Sequence, residues 1–210
     1  MVTDRVAKPK ELLDSNGKLF TKSRPQYENE GVDSFLVATQ NGCDNGGGGD
    51  QTDAINSFLK KALDQGKIAY FPAGIYSVSG TVEIPTNSRV VGSSWSQIQA
   101  TGDYFSDMKK PQVVVRVGKP GEVGKLEMTD MIISTKGPTA GAIMVEWNVK
   151  ASSNGAAGIW DSHIRVGGAL GSDLDFEKCP KMGYSEDCIT ASLLLHVTRG
   201  STGYFENVWA

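Results

Sequence analysis

The chain has 210 residues, 39% of them hydrophobic, and a formal net charge of −3, which are ordinary values for one globular domain. Without a basic excess it offers no electrostatic attraction to nucleic acid or to an anionic membrane, so we expect neither as a partner. No apolar run is long enough to span a bilayer. The 25 glycines predict many turns, and therefore many short strands.

The amino-terminal third begins with a polar, irregular stretch. Residues 1–30 mix charges with proline and glycine and are predicted to be a leader or linker, which leaves residues 31–210 as the folded domain. Residues 32–38 follow as a first predicted strand. Residues 41–50 contain four consecutive glycines, but they lack the spacing of a phosphate-binding loop and are predicted to be a flexible loop.

One segment has the periodicity of a helix. Residues 52–65 carry apolar side chains along one face, and either Asp50 or Thr52 is positioned to cap the start. Gly66 follows where a helix commonly ends in a left-handed residue. We therefore expect one short helix, near the amino-terminal end of the domain.

After Gly66 the pattern changes to short strands separated by turn residues. The predicted strands are residues 67–72, 75–78, 81–85, 88–92, 112–117, 142–147 and 191–198. Their connections are too short for the helical crossovers of a doubly wound sheet, so a sandwich or a solenoid remains.

A weak repeat in the second half favours the solenoid. Residues 128–133, 160–165 and 205–210 each open with a large apolar residue followed by polar or turn-forming residues, as expected for coils with loops inserted at their corners. Aligning the segments on those large residues places Asp161 and Glu206 in the same column.

Two groups of segments carry a resemblance to known families. Residues 51–55, the helix and residues 68–76 resemble the opening of pectate-lyase-like β-helix domains. The second half resembles glycoside hydrolase family 55, the exo-acting β-1,3-glucanases of fungi and some bacteria. The segments that carry this resemblance are residues 158–168, Cys179-Pro180, Cys188, residues 191–198 and residues 203–210. The resemblance covers roughly residues 20–210.

This resemblance implies a mainly β chain, a right-handed parallel β-helix with one short amino-terminal capping helix. It also implies a secreted enzyme that hydrolyses β-1,3-glucan from a chain end by an inverting mechanism, without metal or cofactor. Family members carry two tandem β-helices, and this chain is similar to the first part of the second. We therefore expect it to be a fragment whose partners are an amino-terminal β-helix and further carboxy-terminal coils.

The chemistry needs two carboxyl groups across the scissile bond, one to protonate the leaving oxygen and one to activate water. Glu206 follows Phe205 in a predicted strand and should point outward, so it is the first catalytic candidate; Asp161 is the second. The alternative for both is a solvated strand residue or a turn cap.

Substrate-binding candidates are Arg165, Trp160 and Trp209. Aromatic rings stack on sugar faces, but large aromatics also fill cores, and the core role is favoured for each of the four tryptophans (Trp95, Trp147, Trp160 and Trp209) taken separately. Arg165 could bind sugar hydroxyls or simply pair with Asp161. His163 and His196 are expected to be core or ladder residues, because no nucleophile motif accompanies them.

The three cysteines divide unevenly. Cys179 and Cys188 bracket a short polar loop that a disulfide could close, which would fit an oxidising compartment; two reduced thiols are the alternative. Cys43 is left without a partner, and no metal-binding spacing is present.

Two other functions stay open. One is a non-catalytic β-helix that binds glucan or packs against another domain. The other is a polysaccharide lyase of the pectate-lyase type, which would need a calcium-binding cluster of carboxylates. Asp44, Asp50 and Asp53 lie close in sequence, but at the spacing of helix caps.

Overall fold

The computed structural model describes residues 6–210, which are mainly β with one α-helix and parallel sheets. The helix α1 spans Thr52–Asp64, and short 3₁₀ turns lie at Lys10–Leu12, Val32–Ser34, Ala38–Asn41, Asp103–Phe105 and Glu186–Cys188. The strands are β1 Phe35–Val37, β2 Ile68–Tyr70, β3 Gly74–Val78, β4 Val82–Ile84, β5 Arg89–Ala100, β6 Gln112–Val117, β7 Val123–Gly124, β8 Leu126–Thr135, β9 Ala142–Trp147, β10 Lys150–Ala151, β11 Ala157–Trp160, β12 His163–Arg165, β13 Leu193–Val197 and β14 Tyr204–Glu206.

Every strand pair between these elements is parallel. The long sheet has the order β1-β2-β5-β8-β11-β14, with β3 paired to β5 and β12 paired to β8. A four-stranded sheet has the order β13-β9-β6-β4, and β7 pairs with β10. The chain visits the two larger sheets in turn, which is consistent with a pectate-lyase-like β-helix and excludes an antiparallel sandwich.

Helix α1 covers one end of the core. Its buried face packs on β2 and β4, and the Phe58 ring meets the Phe71 ring edge-on at 5.2 Å. The helix ends one residue before the predicted boundary, and Gly66 has the expected left-handed conformation with φ 63°. Asp50 accepts hydrogen bonds from Thr52 and Ser79, so it joins the helix start to the end of β3.

The core is built from side chains stacked in register on successive strands. Val90, Met128, Ile159 and Phe205 are register partners along β5, β8, β11 and β14; the first three are buried and Phe205 packs against the cluster. The Phe205 ring meets the buried Trp147 ring at 5.2 Å. Each short strand adds an apolar side chain to this stack, and removal of that apolar surface from water stabilises the fold.

The register corrects the alignment of the repeated segments. Ile159, rather than Trp160, is the partner of Phe205, while Trp160 pairs with Glu206. The column of Asp161 therefore contains Asn207 and not Glu206. The alignment failed because it matched residues by size, and a large apolar residue occupies both the inner position 159 and the outer position 160.

Strand β5 is longer than predicted. It continues past residue 92 to Ala100, with a register shift between Val91 and Ser96 that directs Trp95 outward. A bulge interrupts the alternation of inner and outer side chains, so the period-2 pattern could not be followed through it.

Residues 20–30, called the strap below, lie across the outer face of the long sheet. Phe20 meets the Tyr204 ring at 5.9 Å, the Lys22 carbonyl accepts a bond of 3.2 Å from the Trp160 indole, and Tyr27 donates one of 2.9 Å to Glu127. Burial, reinforced by the Glu127 carboxylate, raises the pKa of Tyr27. The strap has no regular secondary structure, yet its side chains are anchored at several strands.

The disulfide predicted to close the polar loop is present. Cys179 and Cys188 form a disulfide, and Cys43 is buried with a free thiol whose pKa burial raises to about 11. Within residues 6–210, no helix has the length and apolarity to cross a membrane.

Candidate functional site

A column of short polar residues runs along the outer edge of the long sheet. Asp161 follows β11, Asn207 follows β14, and Asp130 lies at the equivalent position inside β8. All three have positive φ, at 58° for Asp130, 48° for Asp161 and 53° for Asn207. Asp and Asn tolerate this left-handed conformation better than other non-glycine residues because their side chains bond locally. We call these three residues the turn column.

Asp161 is fully engaged within this column. One of its carboxylate oxygens accepts a hydrogen bond from the Asn207 amide, and the other lies 3.4 Å from Arg24 of the strap. The same Arg24 guanidinium bonds both oxygens of Asp130 at 2.8 and 3.0 Å. The strap thus supplies the positive charge that two stacked carboxylates need.

Glu206 points outward, as the strand alternation predicts. It is exposed, while Phe205 beside it packs inward. Its carboxylate accepts a hydrogen bond from Tyr204, and that bond raises the pKa of the tyrosine. Within residues 6–210 Glu206 forms no ion pair, which leaves its charge available to a ligand.

A cleft of about 650 Å³ opens on the same outer face, beyond the turn column. Its floor is a register column of Ile132, His163 and Trp209, and its walls include Trp95 from the β5 bulge. Arg165, two residues after His163 on the same side of β12, also lines it.

Two tryptophans expose most of their surface at this cleft. Trp95 is 68% and Trp209 is 66% exposed, whereas Trp147 and Trp160 are fully buried. Contiguous exposed apolar surface is uncommon on soluble proteins and often marks an interaction site, so this pair makes the cleft a candidate binding surface. The His163 ring lies 6.1 Å from that of Trp209 and extends this surface.

Only some of the predicted site residues line the cleft. Arg165 and Trp209 line the cleft, Glu206 lies three residues before Trp209, and Asp161 reaches Trp209 through Asn207. Trp160 is buried beneath Lys22, whose ammonium lies 5.3 Å from the ring centroid. In this arrangement the Trp160 ring offers no free face to a sugar.

Gly158, two residues before Trp160, leaves room for the Trp160 indole against the strand. A Cβ on Gly158 would come within 2.8 Å of the Trp160 ring and 2.3 Å of the Tyr204 carbonyl oxygen. A side chain at position 158 would therefore lift the indole off the strand.

The alternative pairing of Arg165 with Asp161 is not formed, since Asp161 contacts Arg24. His196 belongs to a charge ladder on the four-stranded sheet, 3.7 Å from Glu146, and His163 is exposed at the cleft; neither is in the core.

Three contributors were not among the predicted site residues: Trp95, Asn207 and Arg24. The polar run around Trp95, which breaks strand alternation, was a usable signal for a bulge. Arg24 gave no local signal, because its partners lie more than a hundred residues away in the sequence.

The acidic residues near the helix do not form a cation site. Asp50 is occupied by Thr52 and Ser79, as a cap would be. Across the part of the chain that the structure describes, no three His, Cys, Asp or Glu side chains gather in a way that could hold a metal.

Comparison with known proteins places the chain in a family. Residues 35–156 match the model described as rhamnogalacturonase A/epimerase, pectate lyase-like. A probable glucan endo-1,3-beta-glucosidase of Arthroderma benhamiae is 40% identical over 97% of this chain, and a glucan 1,3-beta-glucosidase of Cochliobolus carbonum is 39% identical over 96%. A protein of Penicillium expansum named non-secreted LysM effector LysM19 is 43% identical over 94%.

The chain spans only part of these relatives, 24%, 26% and 16% of their respective lengths. The match nevertheless extends over nearly all of this chain in each case. The chain therefore belongs to the rhamnogalacturonase A/epimerase, pectate-lyase-like family, and its resemblance to the β-1,3-glucanases of glycoside hydrolase family 55 is confirmed.

Proposed function

We propose that this chain binds β-1,3-glucan in the Trp95–Trp209 cleft and supplies Glu206 as an acid/base carboxylate for its hydrolysis. The single observation that carries the proposal is the pair of exposed tryptophans at one cleft, next to a strand whose glutamate is exposed and unpaired. Sugar rings have apolar faces and polar edges, and a cleft that combines indole rings with Arg165 and His163 suits both.

The proposed architecture is a right-handed parallel β-helix. Parallel pairing, strands that alternate between two sheets, and a capping helix at one end support it. In such a coil the ligand lies across several successive strands, which is how β5, β8, β12 and the residues that follow β14 all contribute to one cleft.

The proposed reaction is inverting hydrolysis from a chain end. One carboxylic acid protonates the glycosidic oxygen while a second carboxylate removes a proton from the attacking water, so that the glycosidic bond breaks as the new C–O bond forms. Glu206 fits one of these roles because it is exposed and, among residues 6–210, accepts a side-chain hydrogen bond only from the phenol of Tyr204. Two relatives are named endo-1,3-beta-glucosidases and one a 1,3-beta-glucosidase, so product analysis must decide between chain-end and internal cleavage.

The second carboxylate must come from another position. Asp161 stays the predicted partner, but proton transfer by it would require release from Arg24 or Asn207. The fragment status of the chain and its partner domains also stay predictions, as does secretion, for which the disulfide is the supporting feature.

The test measures glucose and oligosaccharide release from a soluble β-1,3-glucan by the purified chain and by Glu206→Gln. We expect the variant to lose activity by about 10²- to 10⁴-fold with an unchanged circular dichroism spectrum. Glu177→Gln, the same change on an exposed loop glutamate, is the matched control. Undiminished turnover by Glu206→Gln would remove Glu206 from the mechanism.

A second candidate is a glucan-binding domain without catalysis, which the same tryptophan cleft supports. Binding that Trp95→Ala and Trp209→Ala abolish, without sugar release by the wild-type chain, would favour it. Formation of unsaturated products from polygalacturonate would instead indicate a polysaccharide lyase.

A further inference from the structure

We infer that Asp161 and Asn207 act as positioning residues, which fix the orientation of the Trp209 ring at the cleft through a directional chain of hydrogen bonds. The inference rests on the proposed sugar-binding role of the cleft and assigns Asp161 a positioning task there. It starts from three contacts. Trp209 Nε1 donates to Asn207 Oδ1 at 3.1 Å, Asn207 Nδ2 donates to Asp161, and Asp161 lies 3.4 Å from Arg24.

The chemistry of the groups fixes the direction of this chain. An indole nitrogen can only donate and an ionised carboxylate can only accept. The side chain between them must therefore accept on one side and donate on the other, which an amide does and a carboxylate does not. With its NH₂ held by Asp161, Asn207 turns its carbonyl oxygen towards Trp209.

Trp209 needs such a restraint because packing alone does not supply one. Trp209 is 66% exposed, and within residues 6–210 its only aromatic neighbour is His163, with ring centroids 6.1 Å apart. Its backbone is held, since Ile164 donates to its carbonyl at 2.6 Å and its own amide donates to Ser162 at 3.1 Å. The ring would still be free to change rotamer, and a free ring loses conformational entropy on binding.

The backbone conformation at position 207 does not by itself require an amide side chain. The turn column needs residues that accept positive φ, and Asp130 and Asp161 meet that need with carboxylates. Asp at position 207 would satisfy the backbone equally, but would set a carboxylate against Asp161. The amide is thus explained by its partners on both sides.

The test uses Asn207→Gly, because glycine keeps the positive φ accessible while it removes the amide. Asn87→Gly is the matched control, since Asn87 also has positive φ, at 73°, and bonds the Lys125 backbone away from the cleft. The first readout needs no ligand. It is the indole ¹⁵N–¹H resonance of Trp209, assigned by its loss in Trp209→Phe, together with its hydrogen-exchange rate.

We expect Asn207→Gly to shift this resonance and speed its exchange, and Asn87→Gly to change neither. Asn207→Asp should have the same effect as Asn207→Gly through repulsion of Asp161. An unchanged Trp209 resonance in Asn207→Gly would overturn the inference, whether or not the chain binds sugar.

The second readout is affinity for a β-1,3-linked gluco-oligosaccharide by calorimetry. Asn207→Gly should weaken binding by about 5-fold, the order expected for one net hydrogen bond. In a Trp209→Phe background, which lacks the indole N–H, it should weaken binding no further. An equal loss in both backgrounds would show that Asn207 acts independently of Trp209 and would overturn the inference.

A third variant tests which property of Asp161 holds Asn207. Asp161→Asn keeps an acceptor oxygen for the Asn207 amide but abolishes the carboxylate. The Trp209 resonance should stay near wild type in this variant; a shift as large as that of Asn207→Gly would show that the hydrogen bond to Asp161 does not suffice and would overturn the inference. If wild type binds no glucan, or if Trp95→Ala and Trp209→Ala bind it normally, the proposed function fails, and the indole resonance still judges the hydrogen-bond chain.

Discussion

The outer faces of the two sheets both carry charges in register, but they neutralise them differently. On the four-stranded sheet, Glu83, Arg116, Glu146 and His196 are successive partners, with Arg116 2.6 Å from Glu83 and 3.1 Å from Glu146. On the long sheet, Arg89 is the register partner of Glu127 but forms its ion pair with Glu30 of the strap. Within residues 6–210, Asp130, Asp161 and Glu206 have no basic partner in their own columns.

On the long sheet, Glu127, Asp130 and Asp161 receive their basic partners from the strap, and these partners do not neutralise every charge on the face. Lys22 lies 3.3 Å from Glu127, and Arg24 serves both Asp130 and Asp161. Glu206 and Arg165 have no ion-pair partner within residues 6–210. A face that satisfies its own charges needs no ligand, whereas one that leaves opposite charges unpaired beside exposed tryptophans is suited to bind one. We therefore expect the first face to contribute stability, and the second is the face on which we propose ligand recognition.

The largest stability effect should follow from breaking the four-stranded ladder at its centre. Arg116→Met leaves Glu83 and Glu146 without their shared cation, and Glu146 is only 18% exposed. We expect a loss of about 1 to 2 kcal/mol in the free energy of unfolding, measured with urea. Arg165→Met at the cleft is the comparison variant and should leave stability unchanged within about 0.5 kcal/mol. Equal losses in both variants would contradict the division between the faces.

The next effect is a pH dependence specific to the ladder. Burial alone would raise the pKa of Glu146, but hydrogen bonds from Asn148 and Arg116 and the nearby charges lower it overall. Because its folded pKa lies below the unfolded value of 4.5, Glu146 stabilises the fold fully above that pH, and the contribution fades as pH falls through the folded pKa.

Glu146→Gln should therefore flatten the decline of stability below about pH 4.5, as followed by urea unfolding at a series of pH values. Glu177→Gln on the exposed loop serves as the control. If the acid limb of the Glu146→Gln curve overlays that of the wild type, the ladder carries none of this dependence.

The smallest global effect is expected from the strap. Arg24→Met removes two ion pairs whose arginine side chain is 35% exposed, so the free energy of unfolding should fall by less than about 1 kcal/mol. Locally the change should be larger, with faster hydrogen exchange and faster proteolysis within residues 20–30. Lys60→Met, which removes an exposed pair with Asp64 on α1, is the matched control and should leave the strap protected. A strap equally protected in Arg24→Met would mean that Phe20, Lys22 and Tyr27 suffice to hold it.

The site was partly readable from local pattern. Glu206 was predicted to point outward by alternation with Phe205, and it does, because side-chain direction in a strand depends on the position in the strand. Trp160 and Trp209 could not be told apart in this way. One lies under the strap and the other beside the cleft, and that difference depends on residues 20–30, far away in the chain.

The sequence by itself determined the elements whose causes are local: helix α1 with its stop at Gly66, the run of short strands, and the loop closed by Cys179 and Cys188. Turn residues and apolar periodicity act over a few positions, so they can be read without a fold. Only the tertiary structure decided the register, which pairs Glu206 with Trp160 and Asp161 with Asn207, and the course of the strap. Inserted loops of unequal length separate the coils, and a one-residue slip in a parallel ladder changes every partner across strands.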